Sequence, residues 1–159
     1  DSVLGGRSPT LDDLPRLTYT RMVLDETLRL YSPIALMARD PLLDDVIDGY
    51  RVPAGSLVTI SPFITHRHPE FWSNPEAFIP ERVAPEQVEQ RPRYAYYPFG
   101  AGARICLGQH FALLEGMLVL ADVAQRYRFE IAPGLHVEPE FVGTLRPSRD
   151  MLMTVYRRG

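Results

Sequence analysis

Apolar positions along this chain form two helical stretches separated by a region with another rhythm. From about Thr18 to Tyr31, Tyr19, Met22, Val23, Glu26 and Leu30 share one arc of a helical wheel, and Leu24 and Leu28 cover the far side. The polar face is narrow, with Arg21, Asp25 and Arg29. The pattern predicts a mostly buried helix, capped by Thr18 or Thr20 and stopped by Pro33. Glu26 lies inside the apolar arc, and a buried carboxylate is costly unless paired. Arg29, one turn on, can reach it. The second stretch follows Cys106 and runs to about Tyr127. It is apolar on nearly all sides, which predicts a central helix.

Between and after these helices the pattern is short-range. Residues 1–17 read as a polar loop or short helix ending near Pro15. Residues 34–60 read as β structure, with Tyr50-Arg51-Val52 and Leu57-Val58-Thr59-Ile60 flanking a turn at Pro53-Ala54-Gly55-Ser56. Residues 61–98 are dense in proline and in aromatics such as Phe71, Trp72, Phe78, Tyr94, Tyr96 and Tyr97. That mixture predicts an ordered, meandering coil packed on a core, and so long a coil in a compact domain usually has a function. The tail offers strands at Phe129–Ala132 and Met151–Tyr156, with turns at Pro133-Gly134 and at 143–147. There is no internal repeat.

Composition narrows the class. The chain has 159 residues, 45% of them hydrophobic, about one domain's worth with enough apolar mass for a core. A net charge of -3 gives no case for nucleic acid as a partner. All 17 basic residues are arginine. A single cysteine excludes an internal disulfide and fits a reducing compartment. The opening residues are no signal peptide, and the longest apolar region is broken by Glu115, Gly116 and Asp122, too short to span a bilayer. With no initiator methionine, the chain is expected to be processed or a piece of something longer.

The candidate chemistry concentrates in Tyr97-Pro98-Phe99-Gly100-Ala101-Gly102-Ala103-Arg104-Ile105-Cys106-Leu107-Gly108. It presents the thiol on a glycine-rich loop at the mouth of a helix, where a thiolate is stabilised by N–H groups and the dipole. Three chemistries compete for it. Zinc could draw on Cys106 and His110, spaced i and i+4, with His66 and His68, but no CxxC pair is present. A nucleophilic thiol with His110 or His66 as base matches no local signature of such enzymes. The histidines otherwise read as surface or hydrogen-bonded residues. Haem uses every special residue: glycines 100, 102 and 108 admit a flat ring, Arg104 can meet a propionate, and Phe99 can cover the sulfur.

Phe99-Gly100-x-Gly102-x-Arg104-x-Cys106-x-Gly108 matches, without a gap, the F-G-x-G-x-R-x-C-x-G haem signature of the cytochrome P450 family, which the chain resembles. Glu26-Thr27-Leu28-Arg29 resembles the family's E-x-x-R. Phe78-Ile79-Pro80-Glu81-Arg82-Val83 resembles its P-E-R-F, with Val83 where phenylalanine is usual. His66-Arg67-His68-Pro69-Glu70-Phe71-Trp72 is similar to the stretch between them, so the likeness covers nearly the whole chain.

The resemblance implies a mainly α fold with small β-sheets (α+β): the C-terminal part of the P450 fold, with K helix, meander, cysteine-ligand loop and L helix. Residues 1–159 would form the C-terminal haem-binding portion of a single P450 domain whose N-terminal portion, with the I helix, is missing. The cofactor implied is haem b (iron protoporphyrin IX). Cys106 would be the axial iron ligand, with Phe99 over the sulfur, Gly100 and Gly108 in the loop, and Arg104 and Arg39 on propionates. Glu26, Arg29 and Arg82 would form a buried ion cluster pinning the meander, structural rather than catalytic. Ile34, Leu36, Met37, Val142 and Leu145 correspond to segments that line an apolar substrate pocket.

The function implied is that of a haem-thiolate monooxygenase. It would take electrons from a ferredoxin or flavoprotein reductase and hydroxylate or epoxidise an apolar small molecule. The partner would dock near the Cys106 loop, a basic face if Arg91, Arg93 and Arg104 cluster. The chain alone is expected to be inactive. A thiolate-haem peroxygenase or isomerase, and a non-catalytic haem-free fragment, are the rival readings. The motifs resemble those of soluble bacterial members, which implies a cytoplasmic protein and leaves open a membrane anchor upstream.

Overall fold

The computed structural model describes residues 2–159. Two helices dominate: α1 (Thr18–Leu30) and α4 (Gln109–Arg126), with the short α2 (Pro62–Thr65) and α3 (Pro85–Val88) between them. The helical spacing of apolar positions is realised in both long helices. The cap of α1 differs from expectation: Leu17 occupies the N-cap, and neither Thr18 nor Thr20 caps the helix. A 3₁₀ helix (Leu11–Arg16) feeds straight into α1, and the Leu17 N–H donates back to the Asp13 and Leu14 carbonyls. Where α1 and α4 meet, Gly116 is the contact. A Cβ there would lie 3.1 Å from a Leu24 methyl, so the glycine permits close approach of the helices. Leu4, Leu17, Met117 and Ala121 form the core beside that contact.

Helix α4 is not central, contrary to its apolar composition. Leu113, Met117 and Ala121 are buried on one stripe, while Phe111 is 69% and Val119 56% exposed. Tyr19, inside the apolar arc of α1, is also exposed. These side chains have too little covering surface among the described residues.

Among the described residues, the strands form four two-stranded antiparallel sheets. β1 (Met37–Arg39) pairs with β4 (Val58–Ile60), and β2 (Asp45–Ile47) with β3 (Tyr50–Val52). Asp48 and Gly49 turn the β2–β3 hairpin with φ of 51° and 82°, the positive angles a two-residue hairpin turn needs. The turn at 53–56 is present, with the Ser56 N–H on the Pro53 carbonyl, but its flanking strands belong to different sheets. β5 (Tyr127–Ile131) pairs with β8 (Met153–Arg157), and β6 (Pro139–Val142) with β7 (Thr144–Pro147). The predicted turn at 143–147 is therefore a correction: Gly143, at φ 78°, makes the bend, and the four residues after it are strand.

The long coil is ordered around one buried ionic cluster. Glu26 and Arg29 are 0% exposed, and Arg29 grips the carboxylate with two nitrogens, at 2.8 and 2.9 Å. The wheel places Arg29 on the polar face of α1, but the coil folds over that face and buries it. Its remaining hydrogens reach the carbonyls of His66 (2.7 Å), Pro75 (2.8 Å) and Ala77 (3.1 Å). Glu26 in turn accepts from the Ile79 N–H, and Arg82 Nε lies 3.1 Å from it. Arg82 also donates to the Ser73, Asn74 and Ala77 carbonyls. Trp72 is buried beneath the Arg29 and Arg91 guanidiniums.

A second clamp holds the chain start. Asp13, 1% exposed, accepts from Arg7, Arg16, the Thr10 N–H and the Thr10 hydroxyl. The Arg7 carbonyl and the Ser8 hydroxyl accept from Gln125 and Arg126 of α4.

Two outcomes are expected. Glu26→Gln leaves two guanidiniums without a buried counter-charge and should cost about 3–5 kcal/mol, the penalty for breaking a buried pair. Chemical unfolding of the full-length protein measures it, and a loss under about 1 kcal/mol, the range of a surface pair, would contradict the cluster's role. The Arg7 hydrogen bond, first, and the Thr10 N–H hold the Asp13 carboxyl far below its ordinary value of 3.8. Its contribution is thus fully present above that value and is lost as pH falls below it. The acid limb of a stability–pH curve should flatten in Asp13→Asn, and an unchanged limb would argue against the clamp.

Candidate functional site

The cysteine loop is built by backbone bonds. The Gly100 N–H donates to the Tyr97 carbonyl (2.9 Å), the Ile105 N–H to Gly102 (3.1 Å), and the Cys106 N–H to Phe99 (2.9 Å). Gly100 and Gly102 sit at φ of 76° and 68°, angles at which any side chain is strained. Their first demand is thus conformational, beyond the small size the sequence suggests. Gly100 is also buried: a Cβ there would lie 3.4 Å from Met37 Sδ, which packs β1 under the loop. Gly108 is the N-cap of α4, and the Gln109 N–H turns back to the Cys106 carbonyl (3.3 Å). Cys106 is a free, exposed thiol just ahead of that helix. Phe99 is half-buried, and its carbonyl is the loop's anchor for Cys106.

Arg104, on the cysteine loop, and Arg39, on β1, have no carboxylate partner among the described residues. Arg104 is exposed on the loop and makes no hydrogen bond or ion pair there. Arg39, at the end of β1, is exposed and donates to its neighbour's carbonyl, that of Ala38. Arg39 and Ala101 of the loop line one cavity of about 330 Å³, with Met37, Ile60, Thr65, Tyr94 and Tyr97. Arg91 does not join an exposed basic set. It is half-buried, over Trp72, and donates to the Arg82 carbonyl. Arg93 lies over Tyr94.

The two segments read as pocket lining meet at one bond. The Leu145 N–H donates to the Pro33 carbonyl (2.8 Å), which brings β7 against the chain leaving α1. Ile34, Leu36 and Val142 are exposed, and Met37 and Leu145 half-buried. Apolar side chains this open lack the covering that would make them core.

For His66 the hydrogen-bonded reading holds and the surface one does not. It is fully buried, with Nε2 accepting from the Tyr97 N–H at 2.9 Å, and the burial and the identity of that partner are what the sequence does not show. Burial, first, holds its pKa down at about 4; the Arg29 backbone beside the ring raises it, and the charges of Arg29, Arg67 and Arg91 lower it again, so it is neutral at pH 7. No local signal announces a bond to a backbone N–H so far along the chain.

A family profile for cytochrome P450 matches residues 1–155. A Mycobacterium tuberculosis protein provisionally named cytochrome P450 132 is 44% identical over 99% of this chain and 34% of its own length. Cyclooctatin synthase of Streptomyces melanosporofaciens is 42% identical over 87% of this chain and 30% of its own. The crystal structure of the cytochrome P450DA heme domain superposes with a TM-score of 0.92 at 35% identity, covering 100% of this chain and 36% of that one. The chain thus spans about a third of the length of the relatives it matches, and no described helix is long and apolar enough to cross a membrane. The fold is that of the corresponding part of a P450 heme domain, with helices and small sheets in α+β arrangement, and the chain belongs to the cytochrome P450 family.

Proposed function

We propose that this chain is the C-terminal, haem-binding portion of a single P450 domain, and that Cys106 is the thiolate ligand of a haem b. The observation that carries this reading is the exposed Cys106 thiol on a backbone-bonded loop ahead of α4. The surroundings fit such a group. Space above Gly102 is open, and Arg39 and Arg104 offer cations with no carboxylate partner among the described residues. In this reading those two arginines take the propionates, while Gly100 and Gly108 let the ring approach and Phe99 lies on the sulfur side. Glu26, Arg29 and Arg82 hold the coil that carries the loop in place and take no part in the chemistry.

When bound, haem supplies dioxygen activation, and a thiolate ligand favours O–O cleavage by pushing electron density onto iron. The reaction we assign is monooxygenation of an apolar small molecule, with electrons from a ferredoxin or flavoprotein reductase. A Streptomyces relative named cyclooctat-9-en-7-ol 5-monooxygenase, 42% identical over 84% of this chain, supports the reaction class. Ile34, Leu36, Met37, Val142 and Leu145 give the substrate an apolar wall. The open faces of Phe111 and Val119 on α4 are assigned to contact with the rest of the domain.

Cys106→Ser in the full-length protein should abolish the thiolate band of the reduced carbon monoxide complex, and its retention would contradict the assignment. Arg39→Leu and Arg104→Leu should each weaken haem retention by roughly 10- to 100-fold, the worth of a charge-assisted hydrogen bond. Transfer of haem to apomyoglobin measures this, and unchanged rates would remove them from the propionate site.

A further inference from the structure

His66 joins the ionic cluster to the cysteine loop. Its backbone carbonyl accepts from Arg29, while its ring Nε2 accepts from the Tyr97 N–H. From Tyr97 the path to the thiol is short. The Tyr97 carbonyl accepts from Gly100, and the Phe99 carbonyl accepts from Cys106. Tyr97 is held at its other end too, its hydroxyl 2.7 Å from the Thr65 hydroxyl.

Only one form of the ring serves this bond. An Nε2 that accepts must carry no proton, so the neutral ring keeps its proton on Nδ1. Nδ1 is buried and makes no well-formed hydrogen bond among the described residues, with the Arg29 backbone the polar group beside the ring. The rings of Trp72, Tyr96 and Tyr97 pack around the imidazole, with centroids at 6.5, 5.2 and 5.1 Å. The charged groups near it are Arg29 on α1, and Arg67 and Arg91 on the coil, while Tyr96 is turned to Asp25. These three cations oppose a charged imidazole.

We propose that His66 is a positioning residue for the Cys106 thiolate: its Nε2 lone pair fixes the Tyr97 N–H and, through the Tyr97 and Phe99 carbonyls, the register of the cysteine loop. This rests on the haem assignment above. A glutamine at 66 can place its amide oxygen near the Nε2 position, whereas an asparagine reaches only as far as Nδ1. Their difference of one methylene also changes packing, so the two are compared on the thiolate band and on haem release.

The test uses the haem-loaded full-length protein. His66→Leu is expected to raise the neutral-thiol share of the reduced carbon monoxide complex several-fold and to release haem about tenfold faster. His66→Gln restores both and His66→Asn does not. A His66→Leu protein with unaltered band and release rate overturns the proposal, as does equal behaviour of the glutamine and asparagine variants. Should the variants fail to fold, nitrogen NMR of the unsubstituted ferrous carbon monoxide form, with isotope-labelled histidine, decides. A His66 proton on Nδ1 supports the proposal, and one on Nε2 overturns it. Absence of any thiolate-haem band in the unsubstituted protein would overturn the haem assignment and this inference together. A normal band there, with no effect at His66, would overturn this inference alone.

Discussion

The long coil between β4 and the cysteine loop depends on one buried ion pair. Taking Glu26 and Arg29 out of water costs several kcal/mol per ion, and their attraction offsets this only if nearly all remaining donors and acceptors find partners. They do. Arg29 spends two nitrogens on the carboxylate and its other hydrogens on three coil carbonyls, and Glu26 takes the Ile79 N–H besides. The coil needs this as much as the ions do. It runs from α2 to the cysteine loop with little regular secondary structure, so its buried carbonyls have no helix or sheet to satisfy them. Charge and coil therefore stabilise each other, and removing either leaves the other with unpaired groups in a dry interior.

From this pair, order reaches the thiol in a few steps. Arg29 fixes the His66 carbonyl, His66 holds Tyr97, and Tyr97 begins the loop that ends at Cys106. Met37 supports the loop from below Gly100, on the strand that also carries Arg39. A thiol so placed can stay exposed without being mobile, because its backbone is bonded on both sides. That combination suits a ligand to a large planar group better than a nucleophile that needs an adjacent base: no histidine bonds to Cys106 among the described residues.

Much of this was legible in the residues, for physical reasons that also mark where reading stops. Both long helices show in the spacing of apolar residues, and a glutamate in the apolar arc of α1 marks Glu26 as a group in need of a partner. The wheel fails at Arg29 because it knows only one helix, and a coil distant in sequence covers that face. The composition of α4 suggests a central helix, yet Phe111 and Val119 stay open, since apolar character says that a surface wants covering and not by what. Asp48-Gly49 carried a hairpin signal that the prolines nearby obscured, and Thr144–Pro147 looked like a turn because Gly143 and Pro147 frame a strand too short to show alternation. The burial of His66 and the identity of its partner were beyond reach: that partner is a backbone N–H, which every residue but proline possesses.

The family also sets what the residues must do together. Gly100 and Gly102 take the positive φ angles that the cysteine loop needs, Arg39 and Arg104 have no carboxylate partner among the described residues, and β7 meets the end of α1 at an open apolar edge. The most direct measurement is a crystal structure of the haem-loaded full-length protein. Cys106 Sγ is predicted to be bonded to the iron, with Glu26, Arg29 and Arg82 paired as here. An iron held by any other residue, or a Cys106 turned away from it, would contradict that arrangement at its centre.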